Sequence, residues 1–370
     1  MTTTILVTGS GGFVGRNLRA TLMRQEGLTL LGYDLGSSSA DLTACLAQAD
    51  IVYHLAGVNR PQQVGEYHTG NVGLTQEICR ILELQDRAPK IVFSSSVQAA
   101  LDNPYGISKR EAEDELQRFS ERTGAEVVIY RFKNLFGKWS RPNYNSVVAT
   151  FCHNVAHDLP ITISDPAREI ELVYIDDAVD ALFSETLSVR GSGTHVADVP
   201  AVGCLSLGEL AERIRAFRAL RSSLVLPLLD RFTRCLYATY LSYLAPDDLA
   251  YSLQLKADAR GGLAELLKGE SFGQIFVSRT HPGITRGNHY HRTKTEKFVV
   301  LEGEALIRFR HILSQDVLEY RVSGSEFRVV DIPPGYTHNI TNAGDTEMIV
   351  LFWASEVFDP AHADTYAELV

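Results

Sequence analysis

A basic excess, clustered cysteines and long apolar runs are all missing from this chain. Lysine and arginine total 35 against 45 aspartates and glutamates, a formal net charge of −10. That excludes a broad nucleic-acid footprint, which needs a basic face. A local pocket can still be positive toward an anionic small substrate. The five cysteines, Cys45, Cys79, Cys152, Cys204 and Cys235, are scattered and form no C-x-x-C. Neither a disulfide framework nor a thiolate metal site is expected, and reduced thiols in a cytoplasmic protein are. No stretch approaches the ~18 apolar residues of a membrane span. Met1-Thr2-Thr3-Thr4 has no basic start of a secretory leader. Internal repeats and low-complexity segments are also lacking. What remains is 370 residues, 45% of them hydrophobic, enough for two domains with real cores.

Up to about residue 135, short β-branched runs alternate with helical stretches. Strands are expected over 4–7, 28–33, 51–55, 91–94 and 127–130, and helices over 13–25, 73–85 and 108–123. That alternation implies a parallel sheet covered by helices. Residues 136–245 are less regular, with helices expected over 147–156 and 207–219, the second capped by Ser206. From about 255 the texture becomes short strands broken by Gly and Pro, which suggests an antiparallel barrel or sandwich. The expected domains are residues 1–245 and 246–370, with the boundary near Ala245-Pro246-Asp247-Asp248.

Thr8-Gly9-Ser10-Gly11-Gly12-Phe13-Val14-Gly15 follows the first strand and opens a helix. Gly9, Gly12 and Gly15 give the tight turn that lets a pyrophosphate reach backbone N–H groups at a helix start. Phe13 and Val14 form the first turn. Asp34, at the end of the second strand, is placed to bond ribose hydroxyls and to repel a 2′-phosphate, which favours NADH over NADPH. Leu55, Ala56 and Gly57 end a later strand where backbone would line the adenosine. Ser94-Ser95-Ser96 precedes Tyr105-Gly106-Ile107-Ser108-Lys109. Tyr105 and Lys109, four apart, share one helix face. The ammonium is expected to lower the phenol's pKa so that Tyr105 can exchange a proton near neutral pH.

Together these residues resemble the extended short-chain dehydrogenase/reductases that act on nucleotide sugars, over roughly residues 4–240. Asn71, Arg131 to Gly137 and Val173 to Asp177 match further landmarks. The resemblance implies that Ser96 is the catalytic serine beside Tyr105 and Lys109. Dehydratases of the family carry an Asp-Glu pair after that position. Here Val97-Gln98 follow, so the site is equipped for hydride and proton transfer at a carbonyl and not for dehydration.

A second signature lies far downstream. Gly283, His289, His291, Glu296 and Gly303 fit G-x5-H-x-H-x4-E-x6-G, and Pro333 to Asn342 fit P-x-G-x2-H-x3-N through His338. This resembles the cupin superfamily, an all-β jelly-roll barrel, over residues 255–360. His289, His291, Glu296 and His338 are the candidate ligands of one divalent metal. Imidazole and carboxylate suit zinc, iron, manganese or nickel, and zinc is the expected ion. His281, His311 and His362 fall outside the pattern.

The union of the two signatures, with local matches along the whole chain, resembles the bifunctional UDP-sugar enzymes of capsular polysaccharide synthesis, the CapF/WbjC type. It implies a UDP-amino-sugar substrate, UDP-2-acetamido-2,6-dideoxy-β-L-arabino-hexos-4-ulose. The cupin would epimerise C3, and the reductase domain would reduce the C4 ketone. It also implies substrate contacts from Asn134, Lys138, Arg141 and Asn145, and NADPH, in tension with Asp34. A homodimer is expected by analogy with other cupins. Lys297, Tyr290 and the histidines are candidates for moving the C3 proton. The alternatives are a nucleotide-sugar 4-epimerase with a structural cupin, and a non-catalytic sensor or scaffold.

Overall fold

A computed structural model describes residues 2–223, 230–252, 256–258, 261–263, 273–356 and 361–370. The first part alternates β1 (Thr3–Thr8), α1 (Phe13–Leu22), β2 (Leu28–Tyr33), α2 (Ser39–Leu46) and β3 (Ile51–His54). A short α3 (Gly65–Tyr67) runs through a π-helical turn into α4 (Leu74–Leu84), followed by β4 (Lys90–Ser96), α5 (Pro104–Thr123) and β5 (Glu126–Phe132). Next come β6 (Asn134–Phe136), α6 (Val147–Ala156), β7 (Glu169–Tyr174), α7 (Ile175–Leu187), β8 (Gly193–Ala197), β9 (Gly203–Ser206), α8 (Leu207–Ser223) and α9 (Arg231–Leu241). The last part is β-structure. It comprises β10 (Ala250–Ser252), β11 (Lys256–Asp258), β12 (Gly261–Leu263), β13 (Gln274–Thr280), β14 (Thr285–Tyr290), β15 (Glu296–Glu302) and β16 (Glu304–His311). β17 (Val317–Ser323), β18 (Arg328–Ile332), β19 (Tyr336–Asn342), β20 (Met348–Ala354) and β21 (Tyr366–Ala367) complete it.

The chain divides into two compact units, Met1–Ser146 with Glu171–Cys204, and Val147–Ile170 with Leu205–Val370. In the first, six parallel strands run in the order β2-β1-β3-β4-β5-β8. Strands buried on both faces need near-continuous apolar runs, and Ile5, Leu6, Val7, Val52, Ile91 and Val92 are fully buried. One core packs Leu6, Val52, Phe93 and Val127 of the sheet against Ile78 and Leu82 of α4 and Ala112, Leu116 and Phe119 of α5. Each fully buried Leu or Ile side chain is worth about 1.5–3 kcal/mol. The strand order reverses at β1, which is where open α/β sheets form their ligand crevice.

In the second unit, α6, α8 and α9 group with the β-structure. Leu210, Ile214 and Phe217 of α8 are buried, and the Phe217 ring lies 5.1 Å from that of Tyr237 on α9. Ser206 and Glu209 form the expected cap of α8. The strands make two five-stranded antiparallel sheets, β10-β18-β15-β20-β13 and β17-β16-β19-β14-β21. Gly283 and Gly303, which bound the first half-motif, both have positive φ. Gly324 N donates to Gly303 O (3.0 Å), and Gly283 N donates to Asn342 O (3.1 Å). The two half-motifs, distant in sequence, are thus joined at their ends. No described helix is long and apolar enough to cross a membrane.

Candidate active sites

The glycine loop is held by contacts that no side chain could share. Gly9 has φ +68°, and a Cβ on it would lie 2.8 Å from Ala56 Cα. A Cβ on Gly15 would lie 2.1 Å from Gly9 O, so α1 can approach the loop this closely only with glycine there. Gly12 is the N-cap of α1, without a side-chain cap and with no acidic residue in the first turn. The opening N–H groups at Phe13 and Val14 therefore have no side-chain cap, and the helix's positive end is suited to an anion. Asp34 is not held apart from this loop. Its carboxylate accepts from the Ser10 hydroxyl and from Gly11 N (2.9 and 3.0 Å). Of the serines beyond it, Ser37 Oγ accepts from Asp34 N, and Ser38 caps α2 in a capping box with Asp41.

Beneath the loop runs a buried polar chain of which the sequence singled out only Asn71. Thr8 Oγ1 lies 2.9 Å from His54 Nδ1, and His54 Nε2 lies 2.9 Å from Thr75 Oγ1, which donates to Asn71 O. Asn71, in the π-helical turn, accepts from Val58 N and donates to Val58 O and Ser108 Oγ. Burial pushes His54 down to about 3. It is a neutral spacer linking the glycine loop, the Leu55-Ala56-Gly57 strand end and α5. A histidine flanked by apolar strand residues was the available signal.

The three serines of β4 divide their work. Ser94 O accepts from Lys109 Nζ (2.8 Å), Ser95 Oγ donates to Glu113 (2.5 Å), and Ser96 Oγ accepts from Gln98 N (3.2 Å) while lying close enough to the Tyr105 phenol to oppose the rise in its pKa. Gly106 lets α5 press onto residues 98–101, since a Cβ there would lie 2.1 Å from Gln98 O. Asn103 caps the helix by accepting from Gly106 N (2.8 Å). One expectation is corrected here. Tyr105 is pushed up to about 12 by burial, opposed by Ser96, and the Lys109 charge is not among the causes. The ammonium is turned instead to Ser94 O and to the Phe93 ring (4.7 Å). Burial pushes Lys109 down to about 8, while the Glu113 charge opposes the fall. Glu113, itself paired with Arg131, was not singled out from sequence.

The loop carrying the expected substrate residues turns sharply, with positive φ at Gly137, Trp139 and Asn143. Arg141 and Asn145 are exposed on it, and the Arg141 guanidinium lies 5.3 Å from the Tyr144 ring. Arg60 donates to Tyr144 O. Asn134 is exposed and donates to Glu171 O. Lys138 is buried, with its ammonium on both oxygens of Asp176 (2.7 and 2.8 Å). So placed, it ties the loop to the start of α7.

His289, His291, Glu296 and His338 converge, with candidate ligand atoms all within 4.8 Å of one another. A bulge in β14, with Gly287 at φ +102° and Asn288 at φ +57°, sets His289 opposite His338. Glu296 opens β15 in the other sheet. The Pro333-Pro334-Gly335 turn brings Gly335 N to His291 O (2.9 Å) and so starts β19 beside the first histidines. Glu296 Oε2 stands 3.3 Å from both His291 Nε2 and His338 Nε2, yet neither nitrogen has a hydrogen-bond partner, and both are buried. Two orphaned imidazole nitrogens aimed at one carboxylate fit a cation-binding set. Burial pushes His289 down to about 4 and lowers His338. Burial alone would raise Glu296, but the adjoining His291 and His338 hold it well below the carboxylate range.

Two of the expected proton movers point elsewhere. Lys297 alternates with Glu296 on β15 and pairs with Asp331 (2.5 Å). Tyr290 is buried and stacks on Tyr366, ring centroids 5.5 Å apart. The ammonium beside the cluster is Lys294, 3.6 Å from Glu296 Oε1.

A parallel sheet with its glycine loop at the switch point, followed by a two-sheet histidine-bearing unit, defines a nicotinamide-dependent nucleotide-sugar type of enzyme fold joined to a cupin. Residues 5–185 match the NAD dependent epimerase/dehydratase family, and residues 256–366 match the polysaccharide biosynthesis C-terminal domain. A UDP-2-acetamido-2,6-beta-L-arabino-hexul-4-ose reductase of Pseudomonas aeruginosa is 45% identical over 98% of this chain and 98% of its own. The crystal structure of the capsular polysaccharide assembling protein CapF from Staphylococcus aureus is 43% identical, covers 99% of this chain and 100% of its own, and has a TM-score of 0.68. A UDP-glucuronic acid 4-epimerase from Bacillus cereus, 19% identical over 58% of this chain and 83% of its own, shares the fold at a TM-score of 0.53. The chain belongs to the family of the UDP-2-acetamido-2,6-beta-L-arabino-hexul-4-ose reductase.

Proposed function

We propose that the chain is a two-site enzyme acting on UDP-2-acetamido-2,6-dideoxy-β-L-arabino-hexos-4-ulose. It epimerises C3 at the His289–His291–Glu296–His338 cluster and reduces the C4 ketone at Ser96, Tyr105 and Lys109, giving the UDP-2-acetamido-2,6-dideoxy-L-talose. The observation that carries this reading is the presence of both residue sets on one chain that is collinear, at 45% identity, with a reductase of that 4-keto sugar. The working modules are residues 1–245 and 246–370.

At the first site, Ser96 hydrogen-bonds the carbonyl oxygen and Tyr105 gives it a proton. Lys109 places positive charge beneath the cofactor floor, next to Gly57. Bound NADH or NADPH supplies the hydride to C4. The Asp34 carboxylate at the loop supports NADH, because it disfavours a 2′-phosphate. Asn134, Arg141 and Asn145 are exposed to meet the nucleotide sugar, while Lys138 holds their loop through Asp176.

At the second site the C4 ketone acidifies the C3 proton, so its removal gives an enediolate that can be reprotonated on the other face. A divalent cation, zinc in this reading, would supply positive charge for that oxygen when bound. His289, His291, Glu296 and His338 would hold it. The protein is further proposed to work as a homodimer in the cytoplasm. Exposed Ile275 and Val277 on edge strand β13 support self-association, and free thiols at all five cysteines suit a reducing compartment.

The test is incubation with the 4-keto sugar in deuterated water, with NADH, with NADPH and with neither, following C3 by NMR. Deuterium should enter C3 without cofactor, and the ketone should disappear only with it. Consumption of reduced cofactor without C3 exchange would make the second site structural.

A further inference from the structure

The residues from 361 onward are bound along the histidine cluster, and Asp364 sits at the centre of the contacts. Its backbone oxygen lies 2.5 Å from His291 Nδ1. A carbonyl can only accept, so Nδ1 carries the proton and Nε2 presents a bare lone pair to the cluster. The Asp364 side chain turns to the loop between the second histidine and Glu296. Its carboxylate accepts from Arg292 N (2.9 Å), Thr293 N (2.8 Å), Thr293 Oγ1 (2.9 Å) and Lys294 N (2.7 Å). Those bonds close the turn that delivers Glu296.

The rest of the segment anchors Asp364 on both sides. Lys294 Nζ donates to Thr365 Oγ1 (3.2 Å), and Ala367 pairs with His289 across β14 and β21. Glu368 N donates to Asn288 O at the bulge, and Glu368 O accepts from Thr337 Oγ1, next to His338. Every ligand-bearing stretch of the cluster is therefore bonded to this one segment or adjoins a residue that is.

We propose that Asp364 is a positioning residue of the metal centre. Its carbonyl fixes the His291 tautomer, its carboxylate holds the 292–294 backbone, and residues 361–370 act as a clasp that sets the spacing of the ligands. This rests on the reading of the cluster as a divalent-cation site. It implies that a substitution touching no ligand weakens metal binding.

The experiment uses the full chain stripped with a chelator, titrated with Co2+ and with Zn2+ against a chromophoric competitor. Asp364→Ala is expected to bind both ions about 10–100-fold more weakly, with displaced Co2+ d–d absorption bands. Asp364→Asn, which keeps one acceptor oxygen, should fall between. The thermal transition of each metal-free protein separates positioning from stability. A purely structural role would lower that transition and leave the affinity and the Co2+ spectrum of the folded protein unchanged, and that result overturns the proposal. If Asp364→Ala does not fold, Asp364→Asn and Thr293→Val carry the comparison, each expected to lose affinity in the same direction. Unaltered protein that binds neither ion would sink the cation-site reading itself, and the proposal with it. Binding by the unaltered protein that both Asp364 variants match would sink the proposal alone.

Discussion

With its phenol pushed up to about 12 by burial, Tyr105 keeps its proton throughout the neutral range. That suits a donor to a ketone being reduced. Tyr105→Phe should lower kcat for reduction by ~10²–10⁴-fold and leave deuterium exchange at C3 intact, read in the same NMR assay. The ionisation that limits the reaction then belongs to Lys109, which burial brings down to about 8. Below that pH the ammonium is charged, and above it the charge is lost. Since kcat/KM reports the free enzyme, its profile should fall on the alkaline side near pH 8. Glu113 raises the Lys109 affinity for a proton, so Glu113→Gln should move that limb to lower pH. An unmoved limb would detach it from Lys109. The spacing singled out Tyr105 and Lys109, and the family resemblance pointed to Ser96 within the serine run. Their proton affinities were not legible, because spacing places the groups together but the depth of burial is set by β4 and α5 packing around them.

Among the elements, α5 shows what a local motif can and cannot foretell. Its tyrosine and lysine were readable, but its start was expected at residue 108, and the helix begins at Pro104. Asn103 explains the difference, because its side chain accepts from Gly106 N and so caps a turn that includes Tyr105. Asn103→Ala should cost about 0.5–2 kcal/mol of stability in a denaturant titration, with kcat little changed. Gly106→Ala should act differently. Its new methyl would meet Gln98 O and Leu101 O, at 2.1 and 2.6 Å, and backbone cannot yield as a flexible side chain does. A cost of about 1–3 kcal/mol should come with a fall in kcat, because relieving the clash lifts Tyr105 from Ser96. Equal kcat in the two variants would detach the close approach from catalysis. In the C-terminal part, strands over 296–302, 304–311, 328–332 and 348–354 answer to the short strands broken by Gly and Pro that the texture suggested. The bulge at Asn288 and the pairing of β21 with β14 carried no local signal, since both depend on partners remote in sequence.

For the molecule as a whole, the informative group is Lys297, which the sequence offered as a proton mover and which the fold uses to join layers. It is buried against Asp331 (2.5 Å) and Tyr251 OH (3.2 Å). Arg221 of α8 stands 3.6 Å from Asp331 and salt-bridges Asp248, while the Tyr237 phenol of α9 adds to the field on Lys297. Strands β15 and β18 are thereby tied to α8 by charges and to α9 by the Tyr237 phenol, and both helices group with the β-structure. The alternation of Glu296 and Lys297 along β15 sends one to the histidine cluster and the other to the helices. Removing one partner of a buried pair leaves an uncompensated charge, so Lys297→Met should cost about 3–5 kcal/mol by denaturant titration. Replacing both partners should recover most of that loss, because two apolar side chains of similar volume need no charge partner. Lys297→Met with Asp331→Leu is therefore expected to melt near the unaltered protein and to retain C3 exchange. If the double variant folds but exchanges no deuterium, Lys297 moves protons after all, and the structural account of it fails.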